Sequence, residues 1–291
     1  MRISPSENWS EYVGIYKAPE NVTSVKPMLV FAPPKNSSEA SRVFVDDISC
    51  CLSGLPGSKV FGSKLKHSGE AQMHDGKIVV DGNIEEFSMS SKPLLLDGRM
   101  VKTLPGHRVE EVKEWQGSKD LSGKIFLRWD NDFLYIAAEI EDDSHVLNNL
   151  PNILERETRG YMFDSLQFSI DPDNSGKEGN FIQFTLSQTP DGPALYREHT
   201  ILTPEMPVGV ADLGILKNAK TAIRREGNKT FYELAIPLLE IYPLSIEKGK
   251  KIGFSILAND NDGSGRKGYI EWSSGIGAGR NPAKYGQIIC K

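Results

Sequence analysis

The segment that decides the fold reads Gly-Phe-Ser-Ile-Leu-Ala-Asn-Asp over residues 253–260. An acidic Gly/Ser turn follows, and residues 266–273 then read Arg-Lys-Gly-Tyr-Ile-Glu-Trp-Ser. Residues 280–286 read Arg-Asn-Pro-Ala-Lys-Tyr-Gly. Short apolar and aromatic runs bounded by Gly, Asn, Asp and Pro are typical of β-strands. This order predicts two strands joined by an acidic turn and followed by a closing segment.

Apolar and polar residues alternate over residues 166–170, 182–187 and 232–236. Side chains of a strand point alternately to its two faces, so each segment presents one apolar and one polar face. Residues 124–140 predict a hairpin around the acidic turn 130–132. The sequence therefore predicts an all-β fold, an antiparallel β-sandwich with a solvated outer surface, jelly-roll-like in type and of immunoglobulin-like size.

The domain boundaries follow from composition. Residues 53–76 are rich in Gly, Ser and Lys, which predicts a linker. Residues 77–291 carry the sandwich signals. Residues 1–52 predict a few strands, too few to cover a core alone, and so form a partial N-terminal β-segment. A short β-extension packed on the second domain is the alternative interpretation of that segment.

Composition limits the partners. The 291 residues are 38% hydrophobic and 25% charged, with a net charge of -5. This balance argues against nucleic acid and anionic membranes, which select for basic patches. No apolar run approaches the roughly 20 residues that a membrane span requires. The N-terminal residues lack the apolar core of a signal peptide, and three cysteines cannot form a disulfide framework.

Neutral polar side chains on adjacent strand faces are suited to sugars. Gln167, Gln183, Thr185 and Ser187 would line one sheet surface if their strands are neighbours. Amides and hydroxyls both donate and accept hydrogen bonds without a large desolvation cost. The alternative is that these residues merely face solvent.

Two loops predict a structural Ca²⁺ ion. Residues 171–176 and 260–265 both read Asp-x-Asp-x-Ser-Gly, and Glu271 occupies the twelfth position counted from Asp260. Acidic turns without metal are the alternative. No organic cofactor is expected. The predicted metal ligands are Asp171, Asp173, Asp260, Asp262 and Glu271.

Catalysis by this chain alone is not expected. No motif places two carboxylates together as a glycosidase requires. The histidines lack the spacing of a zinc protease, and no Gly-x-Ser-x-Gly serine is present.

The segments quoted first resemble the end of a family 9 carbohydrate-binding module. The resemblance covers about residues 74–290 and includes Val-Asp-Gly-Asn-Ile-Glu-Glu at 80–86 and Phe-Asp-Ser-Leu-Gln-Phe-Ser-Ile-Asp at 163–171. It also includes residues 127–136. It implies a non-catalytic sandwich, often calcium-stabilised, in an extracellular or cell-surface protein that degrades polysaccharides, such as a xylanase. The implied partner is a polysaccharide or oligosaccharide such as xylan or cellulose.

The resemblance also implies a sugar held between two tryptophans. Tyr161 occupies the first of these positions and Gly279 the second. Gln167, Thr185, Ser187 and Leu257 replace other expected polar contacts, whereas Asp260 and Arg266 match. The predicted sugar-binding residues are Tyr161, Gln167, Gln183, Thr185, Asp260, Arg266 and Arg280.

Residues 9–50 resemble the last strands of a jelly-roll carbohydrate-binding module, which implies that Met1 lies inside such a module. Two functions remain as alternatives to sugar binding. One is a spacer sandwich that binds no sugar. The other is a haem-binding electron-transfer sandwich that uses Met162 with His145 or His107.

Overall fold

The computed structural model describes residues 67–76, 78–89, 91–150, 159–207, 210 and 213–291, with the backbone of residues 50–51 and 60–61. The chain divides into two units, residues 1–65 and 66–291. The described part of the first unit is an antiparallel pair of strands, β1 (Cys50–Cys51) and β2 (Val60–Phe61). Apart from β1, the predicted jelly-roll segment 1–52 lies outside the described residues.

The described part of the second unit consists almost entirely of strands, which confirms the predicted all-β class. Helical structure there is limited to α1 (Glu85–Ser88) and short 3₁₀ turns at Gly160–Met162, Leu238–Ile241 and Pro282–Lys284. Among the described residues, no helix has the length and apolar character to span a membrane. The strands are β3 (Ser68–Met73), β4 (Leu94–Leu96), β5 (Val101–Leu104), β6 (Arg108–Glu111), β7 (Leu121–Trp129), β8 (Phe133–Asp142), β9 (Ser165–Asp171), β10 (Ile182–Thr189), β11 (Gly192–His199), β12 (Gly214–Ile215), β13 (Lys220–Glu226), β14 (Lys229–Pro237), β15 (Lys251–Asp260), β16 (Gly268–Glu271) and β17 (Gly286–Cys290).

These strands form one curled sheet in the order β12–β11–β10–β9–β15–β17–β3–β7–β8–β14–β13. β4 pairs with β7, β16 pairs with β15, and the β5–β6 hairpin joins the sheet through β16. The sheet curls so that strands from its two ends share one hydrophobic core. The predicted sandwich is confirmed, but not as purely antiparallel: β3 runs parallel to both β17 and β7.

β3 corrects the predicted linker. Residues 68–73 lie in the sheet between β17 and β7 and connect the two halves of the fold. A Cβ atom on Gly69 would meet Cδ2 of Leu94 at 2.2 Å and Cδ1 of Ile288 at 2.9 Å. Close packing therefore requires glycine at position 69, within the segment that predicted a flexible linker.

The alternating segments place their apolar residues in the core as predicted. Phe168 and Phe184 are fully buried and stack with ring centroids 5.1 Å apart. Trp129 and Trp272 are also buried, at 3% and 7% exposure. The core is completed by Leu166, Ile170, Ile182, Leu186, Leu234, Ile236, Phe254 and Ile256.

The predicted hairpin is formed by β7 and β8. Asp130 fixes its turn, because Oδ1 accepts hydrogen bonds from the backbone N–H of Asp132 (2.8 Å) and Phe133 (2.7 Å). The other oxygen accepts from the hydroxyl of Tyr135 at 2.6 Å. The acidic turn thus has a structural explanation that needs no ligand.

Candidate functional site

The polar faces of β9, β10 and β15 adjoin one another, since Gln167 lies opposite Thr185 on one side and Leu257 on the other. The predicted exposure of this face is wrong. The exposed fractions are 5% for Gln167, 3% for Gln183 and 1% for Thr185.

An apolar cluster explains this burial. It packs on the same face and consists of Phe181, Leu257, Tyr269, Ile276 and Tyr285. The hydroxyl of Tyr285 donates a hydrogen bond to Oγ of Ser169 at 2.8 Å. The segment after β16 therefore folds back over the polar strands and covers part of them.

Glu198 on β11 gathers the buried polar residues. Its carboxylate accepts hydrogen bonds from Nε2 of Gln183 (2.7 Å), Nε2 of Gln167 (3.4 Å) and Oγ1 of Thr185. Nη2 of Arg280 lies 3.7 Å from the same carboxylate. Four predicted site residues thus converge on an acid that sequence reasoning missed.

The sequence carried a signal for Glu198. In β11, Leu195 and Arg197 are buried at 1% exposure, while Tyr196 lies opposite Thr185 on the polar side. Strand alternation then places Glu198 on the same polar face. From the sequence no strand is predicted over residues 192–199, and Glu198 is therefore absent from the predicted site.

A second chain of contacts runs from Gln167 to Arg266 through Asn259 on β15. Nδ2 of Asn259 donates to Oε1 of Gln167 at 3.2 Å and to Oγ of Ser165 at 2.9 Å. Its Oδ1 accepts from Nε and Nη2 of Arg266 at 2.9 and 2.5 Å. Asn259, which sequence analysis did not select, therefore orients the guanidinium group.

Arg266 lies between two aromatic rings. Its Cζ is 4.5 Å from the ring centre of Tyr269 and 5.6 Å from that of Tyr161. Tyr269 is buried, whereas Tyr161 on the turn Gly160–Met162 is 41% exposed. The buried network thus ends at the surface with an exposed ring beside a cation.

His107 and Gly279 lie close together near Arg280. Gly279 has a φ of +122°, and a Cβ atom there would be 3.4 Å from Nδ1 of His107. His107 is exposed at the tip of the β5–β6 hairpin, with a positive φ of 58°. At the position where the resemblance implies a second tryptophan, the chain therefore presents an imidazole from another strand pair.

Asp260 does not join this site. Asn259 and Asp260 are consecutive on β15 and point to opposite faces. The fully buried Asp260 belongs to a cluster with Asp120 and Asp262, and Nζ of Lys267 lies 3.4, 2.5 and 2.7 Å from their carboxylates, in that order. The predicted role of Asp260 as a sugar contact is not supported by this position.

In the first predicted calcium loop, the acidic residues already have partners within the protein. The Asp171 carboxylate accepts hydrogen bonds within its own loop, from Gly176 N–H at 2.7 Å and from Asn180 Nδ2 at 2.8 Å, as well as from the Ser175 hydroxyl. Asp173 is largely exposed, 3.7 Å from Nζ of Lys250. These contacts satisfy the first loop without an ion.

The second loop is occupied by a side chain of the protein. The ammonium group of Lys267 supplies the positive charge that an ion would bring to Asp260 and Asp262. Glu271 does not complete the set, since it lies opposite Leu257, three residues from Asp260 and hence on the other face of the strand. Glu271 therefore does not join Asp260 and Asp262 as the spacing predicted, and their carboxylates lie instead within 4.8 Å of that of Asp120.

A different group of possible metal ligands comes together below the site. One ligand atom each from Asp142, His145 and Asp164 lies within 4.8 Å of the others. Burial raises the pKa of Asp142 to about 7 and that of Asp164 to about 8, and the Asp142 charge also raises the latter. No described contact joins His145 to Met162, the pair considered for haem.

Comparison with known proteins places these features in a family. The model for "Carbohydrate family 9 binding domain-like" matches residues 99–291. No curated protein matches the chain. A family 9 carbohydrate-binding module from Caldicellulosiruptor kristjanssonii, solved in complex with cellotriose, has a TM-score of 0.51 and 18% identity, over 77% of this chain and 93% of that chain.

A second structure from the same organism, described as a family 9 module in complex with glucose, has a TM-score of 0.48 and 17% identity. It covers 76% of this chain and 95% of that chain. The match of the family model extends over about two thirds of the sequence. The chain therefore belongs to the carbohydrate family 9 binding domain-like family.

Proposed function

We propose that this protein is a non-catalytic carbohydrate-binding module that holds an oligosaccharide against the ring of Tyr161 beside Arg266. The observation that carries this proposal is the exposed Tyr161 ring at the end of a buried network that fixes the Arg266 guanidinium. The C–H faces of a pyranose stack on aromatic rings, and the N–H groups of arginine donate to hydroxyl oxygens.

The polar residues divide into two roles. Gln167, Gln183 and Thr185 are buried and already bonded to Glu198, so they position the site rather than contact the ligand. The groups available to a sugar are the more exposed ones. These contact residues are Tyr161, Arg266, Glu198 and Arg280.

His107 supplies a second wall in this proposal. Its exposed ring adjoins Gly279 and stands on the hairpin that packs against Tyr269 through Thr103, whose Oγ1 lies 3.2 Å from the Tyr269 hydroxyl. An imidazole offers a flat face for stacking, although a smaller one than an indole.

Cellotriose is the first ligand to test, because the related module from Caldicellulosiruptor kristjanssonii binds it. We further propose that the chain works within an extracellular or cell-surface protein that degrades polysaccharides, alongside a glycoside hydrolase domain. Family membership supports this assignment.

Titration calorimetry with cellotriose, xylotriose and glucose tests the binding proposal. We expect a millimolar to micromolar Kd for at least one of them, and a loss of affinity of about tenfold or more in Tyr161→Ala. Tyr161→Phe is the matched control, since it keeps the ring and should bind nearly as well. His107→Ala should weaken binding by a smaller factor.

A spacer that binds no sugar is the second candidate. It is favoured by the internal satisfaction of the Glu198 network and by the absence of a side chain at Gly279. Failure of all three sugars, and of an affinity gel made with plant polysaccharides, would overturn the binding proposal and leave this one.

A further inference from the structure

The structure assigns a second site, for a divalent transition-metal ion, to Asp142, His145 and Asp164. It lies on the core side of the sheet and uses neither Tyr161 nor Arg266, so it does not depend on the proposed sugar binding. Three elements supply it: the end of β8, the segment that follows it, and the residue before β9.

The histidine is the observation that separates this group from an ordinary acidic cluster. The His145 side chain is 7% exposed, and its Nδ1 atom has no hydrogen-bond partner among the described residues. That atom lies 4.0 Å from Oδ2 of Asp142. A buried imidazole nitrogen is normally bonded, because an unsatisfied polar atom costs free energy. A cation at this point would satisfy the nitrogen and both carboxylates together.

Backbone groups hold the carboxylates in place. Oδ1 of Asp142 accepts from the N–H of Ser144 at 2.9 Å. The oxygens of Asp164 accept from the N–H of Val146 at 2.5 Å and of Asn261 at 2.9 Å. Each oxygen has two lone pairs, so these bonds orient the acids and leave acceptor capacity for an ion.

The positive charge near the cluster differs from that near Asp260. Nη1 of Arg225 is 3.9 Å from Asp142, but its guanidinium hydrogen bonds go to the Thr230 hydroxyl and to the backbone oxygen of Asp142, both at 2.9 Å. No lysine is within ion-pair distance of these two acids among the described residues. Among the described residues, no lysine ammonium group therefore lies between Asp142 and Asp164, as that of Lys267 does in the neighbouring cluster.

The ligand chemistry selects the class of metal. One imidazole and two carboxylates suit Zn²⁺ and related ions, whereas Ca²⁺ prefers six or more oxygen ligands. Ligand atoms around a tetrahedral zinc lie about 3.4 Å apart, so small side-chain rotations would close the present 4.8 Å group. His145 also lines a surface depression of about 520 Å³ together with Ser144, Gln188 and Arg225, so an ion would reach the group from the histidine side.

Zinc binding to the full, chelator-stripped chain tests the inference. Calorimetry and elemental analysis should find one Zn²⁺ per chain, with a raised Tm. His145→Asn should lower the affinity by at least about 10–100-fold, whereas His67→Asn, which removes an exposed histidine, should leave it unchanged. Binding well below one ion, equal loss in both variants, or stabilisation by Ca²⁺ and not by Zn²⁺ would overturn the site.

A spectroscopic measurement guards against a variant that fails to fold. Co²⁺ bound to the wild-type chain at this site should give the visible d–d bands of a four- or five-coordinate ion with a nitrogen ligand. A spectrum that matches hexaaqua Co²⁺ would contradict the proposal without any mutation.

Discussion

Arg266 and Lys267 are neighbours in sequence with opposite surroundings. Arg266 lies between the rings of Tyr161 and Tyr269 and bonds to the neutral amide of Asn259. Lys267 points to the other side of the chain and reaches three aspartates within 3.4 Å. Consecutive residues of an extended chain face opposite ways, and this alternation separates the two roles.

The difference shows how to distinguish a structural cation from one available to a ligand. Burial alone would lower the pKa of Lys267, but its hydrogen bonds to Asp120 and Asp262 raise it well above the usual value. The positive charge of Lys267 is therefore paired with aspartates of the protein and is not available to a ligand. Among the described residues, no carboxylate is hydrogen-bonded to Arg266, and its planar group adjoins the exposed ring of Tyr161.

Loss of Lys267 should produce the largest effect on stability. Lys267→Met leaves Asp120 and Asp260 buried without their counter-charge, so we expect the free energy of unfolding to fall by about 3–5 kcal/mol. Urea denaturation measures this change. Lys124→Met is the matched control, since its pair with Glu139 is 53% exposed on the lysine side and should contribute less than about 1 kcal/mol. Equal losses of unfolding free energy in Lys267→Met and Lys124→Met would contradict the structural role assigned to Lys267.

Glu233 differs from the aspartates around Lys267, because it is a buried acid whose described contacts include no cation. Its Oε2 accepts from the N–H groups of Gly82 and Asp81 at 2.8 and 2.9 Å, and Oε1 has no described partner. Burial raises its pKa from 4.5 to about 7. Between these values the folded chain keeps a proton that the unfolded chain has lost.

Stability should therefore fall as the pH rises. The Glu233 contribution is complete below about pH 4.5 and is lost by about pH 7, a change of roughly 3 kcal/mol at most. Urea denaturation from pH 5 to pH 8 measures the slope, which should be smaller in Glu233→Gln. Glu226→Gln, with its side chain 72% exposed, should leave the slope unchanged. A Glu233→Gln slope equal to that of the wild type would contradict the assignment.

Exchange of the two cations tests their separate roles on sugar binding. Arg266→Lys keeps the charge but loses the paired bonds to Asn259 and the planar contact with Tyr161, so affinity should fall about tenfold, or about 1.4 kcal/mol. Lys267→Arg is the control and should bind sugar like the wild type, whatever its effect on Tm. Calorimetry with cellotriose that showed the reverse order would refute this division.

Calcium should have the smallest effect. The Asp171 carboxylate is bonded within its own loop, and Lys267 occupies the cluster of Asp260 and Asp262. We therefore expect a change in Tm of less than about 1 °C at millimolar Ca²⁺, measured by thermal unfolding. An increase of several degrees that is absent in Asp262→Asn would show that the ion displaces the lysine.

Local sequence patterns predicted much of the fold. Alternation over residues 166–170 and 182–187 correctly placed Phe168 and Phe184 in the core, and the order of the C-terminal segments led to the right family. The same alternation could not say what covers the other face. That burial depends on Tyr285, more than a hundred residues away.

The structure brings some of the predicted site residues together and separates others, for a similar reason. Arg266 and Tyr161 come together, and Arg280 reaches the same network through Glu198. Asp260 was misplaced because its motif resembles a loop, whereas it ends a strand and faces the core side. The sequence shows which residues a turn contains, but the strand register decides on which face of the sheet each carboxylate lies.

Nuclear magnetic resonance of the labelled protein during a cellotriose titration shows whether sugar binds at Tyr161 and Arg266. We predict that the side-chain Nε–H signal of Arg266 and the ring signals of Tyr161 shift together and saturate at the calorimetric Kd, while the Lys267 signals stay in place. Arg266→Lys identifies the Nε–H signal by its loss. Saturating sugar that leaves both Arg266 and Tyr161 unmoved, or that shifts a different face of the sheet, would contradict the account.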